Sequence, residues 1–397
     1  MFWVGIELIE YIKTGTIGFL LCFFIVCSIF FLIKYYYYKQ YYIPDGNYNE
    51  PVSIIVSVYK EKPWLLKECL KTVKSKPEDE LIIVFDGSNQ QLESIAKKYA
   101  NKLFVLEHTG KRNAISYGIN KSSNEIVVTV DSDTFFENDC IDKIIKPFSN
   151  NKIGAVSSNQ RIFNPGRSLI RTFANLFEIA SHDFNQLGES ARGHIGCMFG
   201  RCVAFRKSVL IPYLEYYNTE KFMGVKCAGS DDRLLTDIVI RQGYKTIIHR
   251  EAMCYTDCPN TWGSYIKQQR RWQNGSQRST ISRFHWLLSG SKITAVSFIL
   301  YIILPFWVIL VWINAIYSSI LGASTWILLP LQTQIFIGCI GAFITWSQRR
   351  YYIFKHSKIK NILLWFLWIG VIQVFIAAYS FIEIFIRKDL ANQWRTK

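Results

Sequence analysis

Hydrophobic residues are concentrated near the two ends of this 397-residue chain. The first apolar block runs from Thr14 to Ile33 without a charged residue, and about 20 such residues are enough to cross a bilayer as a helix. Three more apolar blocks follow, and these are Ile293–Leu321, Gly322–Trp346 and Ile362–Ile386. The pattern predicts an N-terminal transmembrane helix within residues 1–40 and a C-terminal transmembrane bundle within residues 292–397.

The residues around the first block predict its orientation. Lys34 and Lys39 follow the block with four tyrosines between them, so the positive-inside rule places this end in the cytoplasm. A cleaved signal peptide is the alternative, but the block is longer than a signal h-region, and Glu7 and Glu10 precede it. We therefore expect a multi-pass protein of the plasma membrane with a cytoplasmic central domain.

The last apolar block has basic residues on both sides. Five precede it and four follow it: Arg349, Arg350, Lys355, Lys358, Lys360, Arg387, Lys388, Arg395 and Lys397. Both groups favour the cytoplasm, yet this single block cannot cross a bilayer twice. Either the block is re-entrant or interfacial, with Glu383 near its end, or the tail is external despite its charge. We expect a cytoplasmic tail.

Between the apolar blocks, residues 44–261 alternate short β-branched runs with charged segments. The runs predict strands at Ser53–Tyr59, Leu81–Phe85, Leu103–Leu106 and Ile126–Val130. The charged segments predict helices at Leu65–Lys74, Gln91–Tyr99 and Asn113–Asn120. Continuously apolar strands separated by helices are typical of an α/β fold with a parallel sheet covered on both faces. Ligands of such sheets bind beyond the carboxyl ends of the strands.

The basic charge does not indicate a nucleic-acid partner. The whole chain carries a net charge of +16, but residues 44–283 contain 33 basic and 26 acidic residues. The remaining excess flanks the apolar blocks, where orientation in a membrane explains it. The ten cysteines include no C-x-x-C pair, so we interpret them as reduced and mostly buried thiols. No obligatory protein partner is evident.

Asp131-Ser132-Asp133 directly follows the fourth predicted strand. Two carboxylates one residue apart at a strand end provide oxygen ligands for Mg²⁺ or Mn²⁺, and a substrate's phosphates would complete the coordination. An Asx-turn at the start of a loop would have the same residues, so the motif alone is a weak signal. The chain has neither G-x-G-x-x-G nor a Walker lysine loop, so dinucleotide and P-loop sites lack their main support.

Two further motifs carry candidate chemistry. Ser230-Asp231-Asp232-Arg233 opens the predicted helix Leu234–Arg241; one residue suffices to cap the helix, and the second carboxylate could remove a proton from an alcohol. QQRRW at residues 268–272 lies in the predicted helix Trp262–Gln277. An interfacial helix within residues 262–291 would place Arg and Trp at lipid headgroups. Alternatively, Gln268, Arg271 and Trp272 share one face that holds a pyrophosphate and a sugar.

Together, these residues resemble a known series of motifs. In chain order, Asp86, Asp131-x-Asp133, Ser230-Asp231-Asp232 and Gln268-x-x-Arg271-Trp272 resemble the D, D-x-D, (T/G)-(E/D)-D and Q-x-x-R-W series of processive family 2 glycosyltransferases. These are membrane synthases of hyaluronan, cellulose, chitin oligomers and some capsules. GKRNAI at 110–115 and QQRRWQNGSQ at 268–277 resemble stretches of the hyaluronan synthases and the streptococcal type 3 capsule synthase. The resemblance implies an α/β, GT-A-like (Rossmann-like) domain with a mostly parallel sheet, attached to a transmembrane bundle.

The resemblance implies roles for the matching residues. Asp86 would contact uracil, Asp131 the uridine diphosphate, and Asp133 with Asp131 the metal ion. Asp232 would be the catalytic base beside Asp231, while Arg271, Trp272 and Gln268 would serve the diphosphate and the acceptor sugar. Lys111 and Arg112 would approach the nucleotide, although exposed surface charge would have the same sequence.

Three further substrate-binding candidates have weaker support. Tyr59 ends the first predicted strand at the edge where ligands bind. Cys197 lies in Gly196-Cys197-Met198-Phe199-Gly200, which resembles an acceptor-side loop but would also suit a glycine-rich bend. Trp394-Arg395-Thr396 resembles the family's W-G-T-R gating element without its glycine.

The resulting hypothesis is a membrane-embedded processive synthase that polymerises sugars from UDP-sugar donors by inverting, metal-dependent transfer and helps to extrude a β-linked product. Its partners would be the donors, the growing polysaccharide and membrane lipids. A glucuronate-containing capsule or a hyaluronan-like polymer suits the basic charge, although no residue identifies the sugar. The alternatives are a non-processive transferase that loads a lipid carrier, which usually lacks Q-x-x-R-W, and a catalytically inactive membrane scaffold.

Overall fold

A computed structural model describes residues 25–283, 292–320 and 358–387, apart from positions 27, 31, 74 and 75. Most of the first apolar block, all of Gly322–Trp346 and the segment around Trp394 lie outside the described residues. Within the described ranges, no helix is both long enough and apolar enough to cross a membrane.

A mixed sheet forms the centre of the domain. Its strands are β1 (Ser53–Val58), β2 (Glu80–Asp86), β3 (Lys102–Leu106), β4 (Ile126–Asp131), β5 (Thr134–Phe136), β6 (Ile153–Ile162), β7 (Cys202–Arg206) and β10 (Lys245–Thr256), while β8 (Lys221–Phe222) and β9 (Val225–Lys226) form a separate hairpin. The eight strands of the main sheet are arranged in the order β3-β2-β1-β4-β7-β6-β10-β5. The strands β1 to β4 match the four predicted runs to within one residue at either end.

Most neighbouring strands in the sheet are parallel. β1 pairs in parallel with β2 and β4, β2 with β3, and β6 with β10. β7 is antiparallel to both β4 and β6, and β5 is antiparallel to β10. The expectation of a mostly parallel sheet is therefore confirmed. The antiparallel strand β7 in the middle of the sheet is an addition that the sequence pattern does not predict.

Residues 32–39 are helical, and the helices after them include α1 (Pro63–Thr72), α2 (Gln90–Ala96), α3 (Lys111–Lys121), α4 (Cys140–Ile145), α5 (Leu169–Ala180), α6 (Leu187–Ala191), α7 (Lys207–Leu210), α8 (Leu214–Thr219), α9 (Asp231–Arg241), α10 (Trp262–Ser282), α11 (Lys292–Ile320), α12 (Ile359–Leu367) and α13 (Val374–Ile386). Single 3₁₀ turns occur at Lys146–Ser149, Pro165–Arg167 and Ile211–Tyr213. π-helical turns occur at Ser181–Gln186 and Trp368–Gln373.

Alternate residues of the central strands face two separate cores. Ile54 of β1 belongs to the same buried cluster as Leu66 of α1. Its neighbour Ile55 belongs to the cluster on the opposite face, with Ile115 of α3 and Leu234 of α9. Helices therefore cover both faces of the sheet, as the continuously apolar strands predict.

The long helix α10 connects the sheet domain to the C-terminal helices. It begins at Trp262, as predicted, and its end at Ser282 lies beyond the predicted end at Gln277. The side chain of Thr261 caps it by accepting a hydrogen bond from the Ser264 backbone N–H. Gln277 Nε2 donates to the Ala377 carbonyl of α13 (2.8 Å). Residues 268–272 are thereby held between the C-terminal helices and the sheet.

The cysteines behave as the sequence predicts. All seven in the described ranges are free thiols, and six are buried: Cys69, Cys140, Cys202, Cys227, Cys254 and Cys258. Cys197 is half-buried. The interpretation as reduced, mostly buried thiols is therefore confirmed for the described residues.

Candidate active site

Lys111 joins the two acidic motifs at the carboxyl edge of the sheet. Its Nζ lies 2.6 Å from Asp131 Oδ1 at the end of β4 and 2.9 Å from Asp231 Oδ2 at the start of α9. Gly110 precedes it with φ 104°, a conformation that favours glycine and lets the loop turn directly into α3. Two motifs that are far apart in sequence therefore share one ammonium group.

Asp232 is placed in the same crevice by a loop and a helix start. Its Oδ2 accepts a hydrogen bond from the Gly200 backbone N–H (3.4 Å). A Cβ on Gly200 would lie 3.1 Å from Asp232 Cβ and 3.8 Å from both Lys111 Nζ and Asp231 Oδ2. Ser230, in a left-handed conformation, makes no side-chain capping bond within the described structure. Of the two residues that could cap this helix, Ser230 or Asp231, Ser230 does not do so.

The pKa values of the two neighbouring carboxylates are shifted in opposite directions. Burial, followed by the charge of Asp231, raises the pKa of Asp232 to about 6. Burial alone would raise the pKa of Asp231 as well, but the charge and hydrogen bond of Lys111 outweigh it, so the pKa of Asp231 is lowered. Environments that move the pKa values of two adjacent acids apart are a common way to separate catalytic roles. Asp232 is the one poised to take up a proton near neutral pH.

Asp131 and Asp133 repel each other at the end of β4. Burial raises the pKa of Asp131; Lys111 opposes this, whereas the charges of Asp133 and Asp231 add to it. Asp133 Oδ1 accepts a hydrogen bond from Thr256 Oγ1 (3.3 Å). Among the described residues, no group of three or more His, Cys, Asp or Glu side chains could hold a metal ion by itself. The predicted site needs only two carboxylates from the protein.

Arg271 faces the acidic crevice from α10. Burial lowers the pKa of its guanidinium, and four carboxylates oppose that shift: Asp231, Asp131, Asp232 and Asp133. Trp272 stacks on Phe177 of α5, with ring centroids 6.0 Å apart and planes at 26°. Gln268 is half-buried and lines a small cavity together with Trp272. Arg271 therefore faces the carboxylates, whereas Gln268 and Trp272 line the small cavity beside Glu178 and Arg201.

Asp86 organises the loop that leads to Lys111. Its carboxylate is 2% exposed and accepts hydrogen bonds from the backbone N–H groups of Thr109 (2.8 Å) and Gly110 (3.0 Å). It also contacts His108 Nδ1 at 2.9 Å. Tyr59 stacks on the His108 ring, with centroids 4.4 Å apart. The Asp86 carboxylate therefore accepts hydrogen bonds from this loop. A contact between Asp86 and uracil stays a prediction.

The guanidinium of Arg112 is held in a buried ion-pair network beside the crevice. It is 4% exposed, and its guanidinium pairs with Glu220 (2.8 Å) and donates to the Tyr217 carbonyl (3.0 Å). Arg283 pairs with the same glutamate (2.8 Å). The guanidinium thus takes part in a buried ion-pair network, and a contact between Arg112 and the nucleotide stays a prediction.

The loop that contains Cys197 contributes to the crevice wall. The Cys197 carbonyl accepts a hydrogen bond from Gln186 Nε2 (2.9 Å). Burial raises the pKa of the Cys197 thiol well above its usual value, and the charge of Asp232 adds to this shift. Cys197 therefore lies near Asp232, and its contact with an acceptor stays a prediction. Trp394 lies outside the described residues.

Arg201 and Glu178 complete the wall beside Trp272. Arg201 Nη1 lies 2.7 Å from Glu178 Oε1, and its guanidinium carbon is 5.8 Å from the Trp272 ring centroid. The Arg201 carbonyl accepts a hydrogen bond from the Asp131 N–H (3.0 Å). Sequence reasoning misses this pair; its one visible signal is a charged residue directly after the glycine-rich loop.

Comparison with known proteins identifies the catalytic region. Residues 53–214 match the family model described as glycosyl transferase family 2. This region is a family 2 glycosyltransferase domain. Its boundaries enclose Asp86, Lys111, Asp131 and Asp133, while α9 and α10 follow it in the chain. The family predicted from the motif series is therefore confirmed.

Curated relatives have similar sequences over more than half of this chain. An N-acetylglucosaminyltransferase of Mesorhizobium japonicum is 28% identical over 260 residues, which is 63% of this chain and 61% of the relative. A hyaluronan synthase of Streptococcus pyogenes serotype M3 is 28% identical over 291 residues, which is 70% of this chain and 68% of the relative. The match to the first of these relatives thus spans less than two thirds of its length.

A solved structure supports the fold assignment. The mannosyltransferase PcManGT from Pyrobaculum calidifontis, in complex with GDP-Man and Mn²⁺, matches with a TM-score of 0.56 and 16% identity. The match covers 95% of this chain and 98% of the mannosyltransferase. At this identity the likeness shows the fold alone, and it confirms the GT-A-like prediction for the glycosyltransferase domain.

Proposed function

We propose that this glycosyltransferase is a membrane-embedded, processive polysaccharide synthase that uses UDP-sugar donors and a divalent cation and helps to extrude its polymer. The observation that carries the proposal is the convergence of Asp131, Asp231, Asp232 and Arg271 on one crevice, with Lys111 between the motifs. The family 2 domain supports glycosyl transfer. Relatives named hyaluronan synthase support a polymeric product.

Asp232 acts as the general base in this proposal. A sugar hydroxyl is a poor nucleophile at neutral pH, and a carboxylate with a pKa of about 6 accepts its proton while staying mostly ionised at pH 7. The hydroxyl then attacks the anomeric carbon of the donor directly. A single displacement inverts that carbon, so an α-linked donor yields a β-linked product.

Arg271 and Lys111 receive the leaving group. The departing diphosphate gains negative charge as the glycosidic bond breaks, and cationic groups placed in advance around that charge stabilise the transition state. Arg271 reaches the crevice from α10 and Lys111 from α3, so the two charges approach from different elements. A guanidinium is suited to bidentate binding of phosphate oxygens.

The residues at the end of β4 fit a divalent cation. Four carboxylates and two cationic side chains in the crevice leave an excess of negative charge, and burial together with repulsion from Asp133 and Asp231 raises the pKa of Asp131. Asp131 and Asp133 would hold the ion, as Mg²⁺ or Mn²⁺ prefers oxygen ligands. When bound, the cation supplies additional stabilisation of charge on the diphosphate.

Exposed apolar side chains support the membrane assignment. Ile303, Leu310 and Ile313 of α11 are 48, 56 and 57% exposed, and Ile382 and Phe385 of α13 are 50 and 41% exposed. Extended apolar surface of this kind marks contact with lipid or with another protein. We propose lipid as the covering phase, because the same helices belong to the apolar blocks of the sequence.

The test is product formation by the full chain in detergent or lipid nanodiscs. Labelled UDP-sugars are supplied singly and in pairs with Mg²⁺ or Mn²⁺, and the product is sized; Asp232→Asn serves as the inactive control. A long polymer that requires one sugar or one pair supports the proposal. Labelled monosaccharide attached only to lipid would instead identify a non-processive transferase, and equal output from Asp232→Asn would contradict catalysis.

A further inference from the structure

The residue before Arg271 makes a contact outside the crevice. Arg270 Nε donates to Glu383 Oε2 (2.6 Å), and its Nη2 pairs with the other carboxylate oxygen. Asn274, one turn later on α10, donates to the same carboxylate (3.0 Å). The Arg270 guanidinium carbon also lies 5.0 Å from the Tyr379 ring centroid. A bidentate, charge-assisted contact therefore joins α10 to α13.

The carboxylate of Glu383 is buried in an otherwise apolar helix, which is energetically unfavourable for an unpaired charge. It is the only charged residue of α13, whose sequence is VFIAAYSFIEIFI, and its side chain is 2% exposed. A buried carboxylate is unfavourable unless it is paired and hydrogen-bonded. An apolar residue of similar volume would hold two helices together without that cost. The pairing of Glu383 with α10 is therefore best explained by a need for one defined orientation of the two helices.

Two further polar contacts lie along the same pair of helices. Gln277 Nε2 of α10 donates to the Ala377 carbonyl (2.8 Å), and Gln373 Nε2 donates to Gln269 Oε1 (3.3 Å). Hydrophobic packing alone permits small rotations, whereas hydrogen bonds at several positions select one setting. The Arg270–Glu383 contact is the charged member of this set.

The rotation of α10 about its own axis controls the crevice. Arg271 and Trp272, which directly follow Arg270, face the carboxylates and Phe177. A side chain on a helix surface lies about 5–6 Å from the axis, so a rotation of about 20° moves it by about 2 Å. A displacement of about 1 Å in an active site can reduce the rate about 100-fold.

We infer that the Arg270–Glu383 ion pair fixes the rotational setting of α10 and thereby positions Arg271 and Trp272. Both members are positioning residues, because they act through their neighbours on α10. The inference rests on the proposed glycosyl transfer and adds a contact between the catalytic helix and the last described helix. It gives Glu383 a role that the apolar pattern of its segment does not predict.

The test compares four full-length variants in lipid nanodiscs: Arg270→Gln, Glu383→Gln, the double variant and the control Lys267→Gln, which changes an exposed charge on α10. Each single variant should lower kcat about 10- to 100-fold, while the donor KM changes less than about threefold. The double variant should lose about as much kcat as the worse single variant and no more, because both substitutions remove the same contact. The control should retain full activity.

Two results would overturn the inference. One is a single variant with unchanged kcat; the other is a double variant in which the two losses multiply. Thermal unfolding of the same proteins tests the pair without turnover: the two losses in Tm should not add, and additive losses would also overturn it. If the unmodified protein transfers no sugar, the proposed function fails, whereas the unfolding measurements still decide whether the pair couples the helices.

Discussion

The pH dependence of the reaction tests the assignment of Asp232 as the base. Its pKa of about 6 predicts that kcat/KM is constant above pH 7 and falls about tenfold per pH unit well below pH 6, because only the ionised carboxylate accepts a proton. Replacement of Lys111 by Met removes a positive charge that lowers this pKa. The acidic limb should therefore move to higher pH.

The size of this shift follows from the distance. Lys111 Nζ and Asp232 Cβ lie 3.8 and 3.1 Å from the position of a Cβ on Gly200, so they are within about 7 Å of each other. At that separation Coulomb's law gives roughly 0.6 kcal/mol in bulk water and about 2.4 kcal/mol at an effective dielectric constant of 20. We expect an upward shift of about 0.5 to 1.5 pH units.

The assay is the initial rate at low donor concentration between pH 5 and 9, because kcat/KM reports groups of the free enzyme. Lys121→Met, at the exposed end of the same helix, is the matched control and should leave the limb in place. The absolute rate of Lys111→Met also falls, since Lys111 is expected to contact the diphosphate, so only the position of the limb is diagnostic. A limb that is unchanged or moves to lower pH would refute the electrostatic argument.

Two further substitutions probe the crevice. Asp133→Asn should raise the Mg²⁺ or Mn²⁺ concentration needed for half-maximal activity at least about tenfold, because a carboxylate ligand is lost. The control Asp139→Asn, at an exposed position, should leave this concentration unchanged. A titration of activity against metal concentration measures both variants. Gly200→Ala places a Cβ 3.1 Å from Asp232 Cβ and should lower kcat about tenfold by displacing the base, whereas Gly263→Ala, with open space around its Cβ, should have no effect on kcat. An unchanged kcat in Gly200→Ala would show that the loop does not hold the base in place.

The local elements of the fold are largely predictable from the sequence. Strands β1 to β4 are continuous runs rich in β-branched residues. These residues favour the extended conformation, and burial on both faces of the sheet stabilises it. The order of the strands cannot be predicted in the same way, because β7 lies between β4 and β6 and runs antiparallel to both. That insertion depends on which edge is available once the first strands have paired, and no local pattern contains this information.

Neighbouring residues with the same chemistry show the corresponding limit for the site. Lys111 and Arg112 follow each other at the start of α3, yet one ammonium lies between two motif carboxylates and the other cation lies in a buried network with Glu220. Residues one position apart on a helix point about 100° away from each other. Which of them faces the crevice depends on how α3 is rotated against β1 and β2, which packing decides.

The same argument explains the division of roles within Ser230-Asp231-Asp232. The family resemblance implies Asp232 as the base, but the two adjacent aspartates are chemically identical in the sequence. Lys111, from a distant part of the chain, pairs with Asp231 and lowers its pKa, and the resulting fixed charge helps to raise the pKa of Asp232. We therefore propose that Asp231 assists catalysis as a charge that, together with burial, raises the pKa of Asp232, and a substitution at either aspartate should change the protonation of the other.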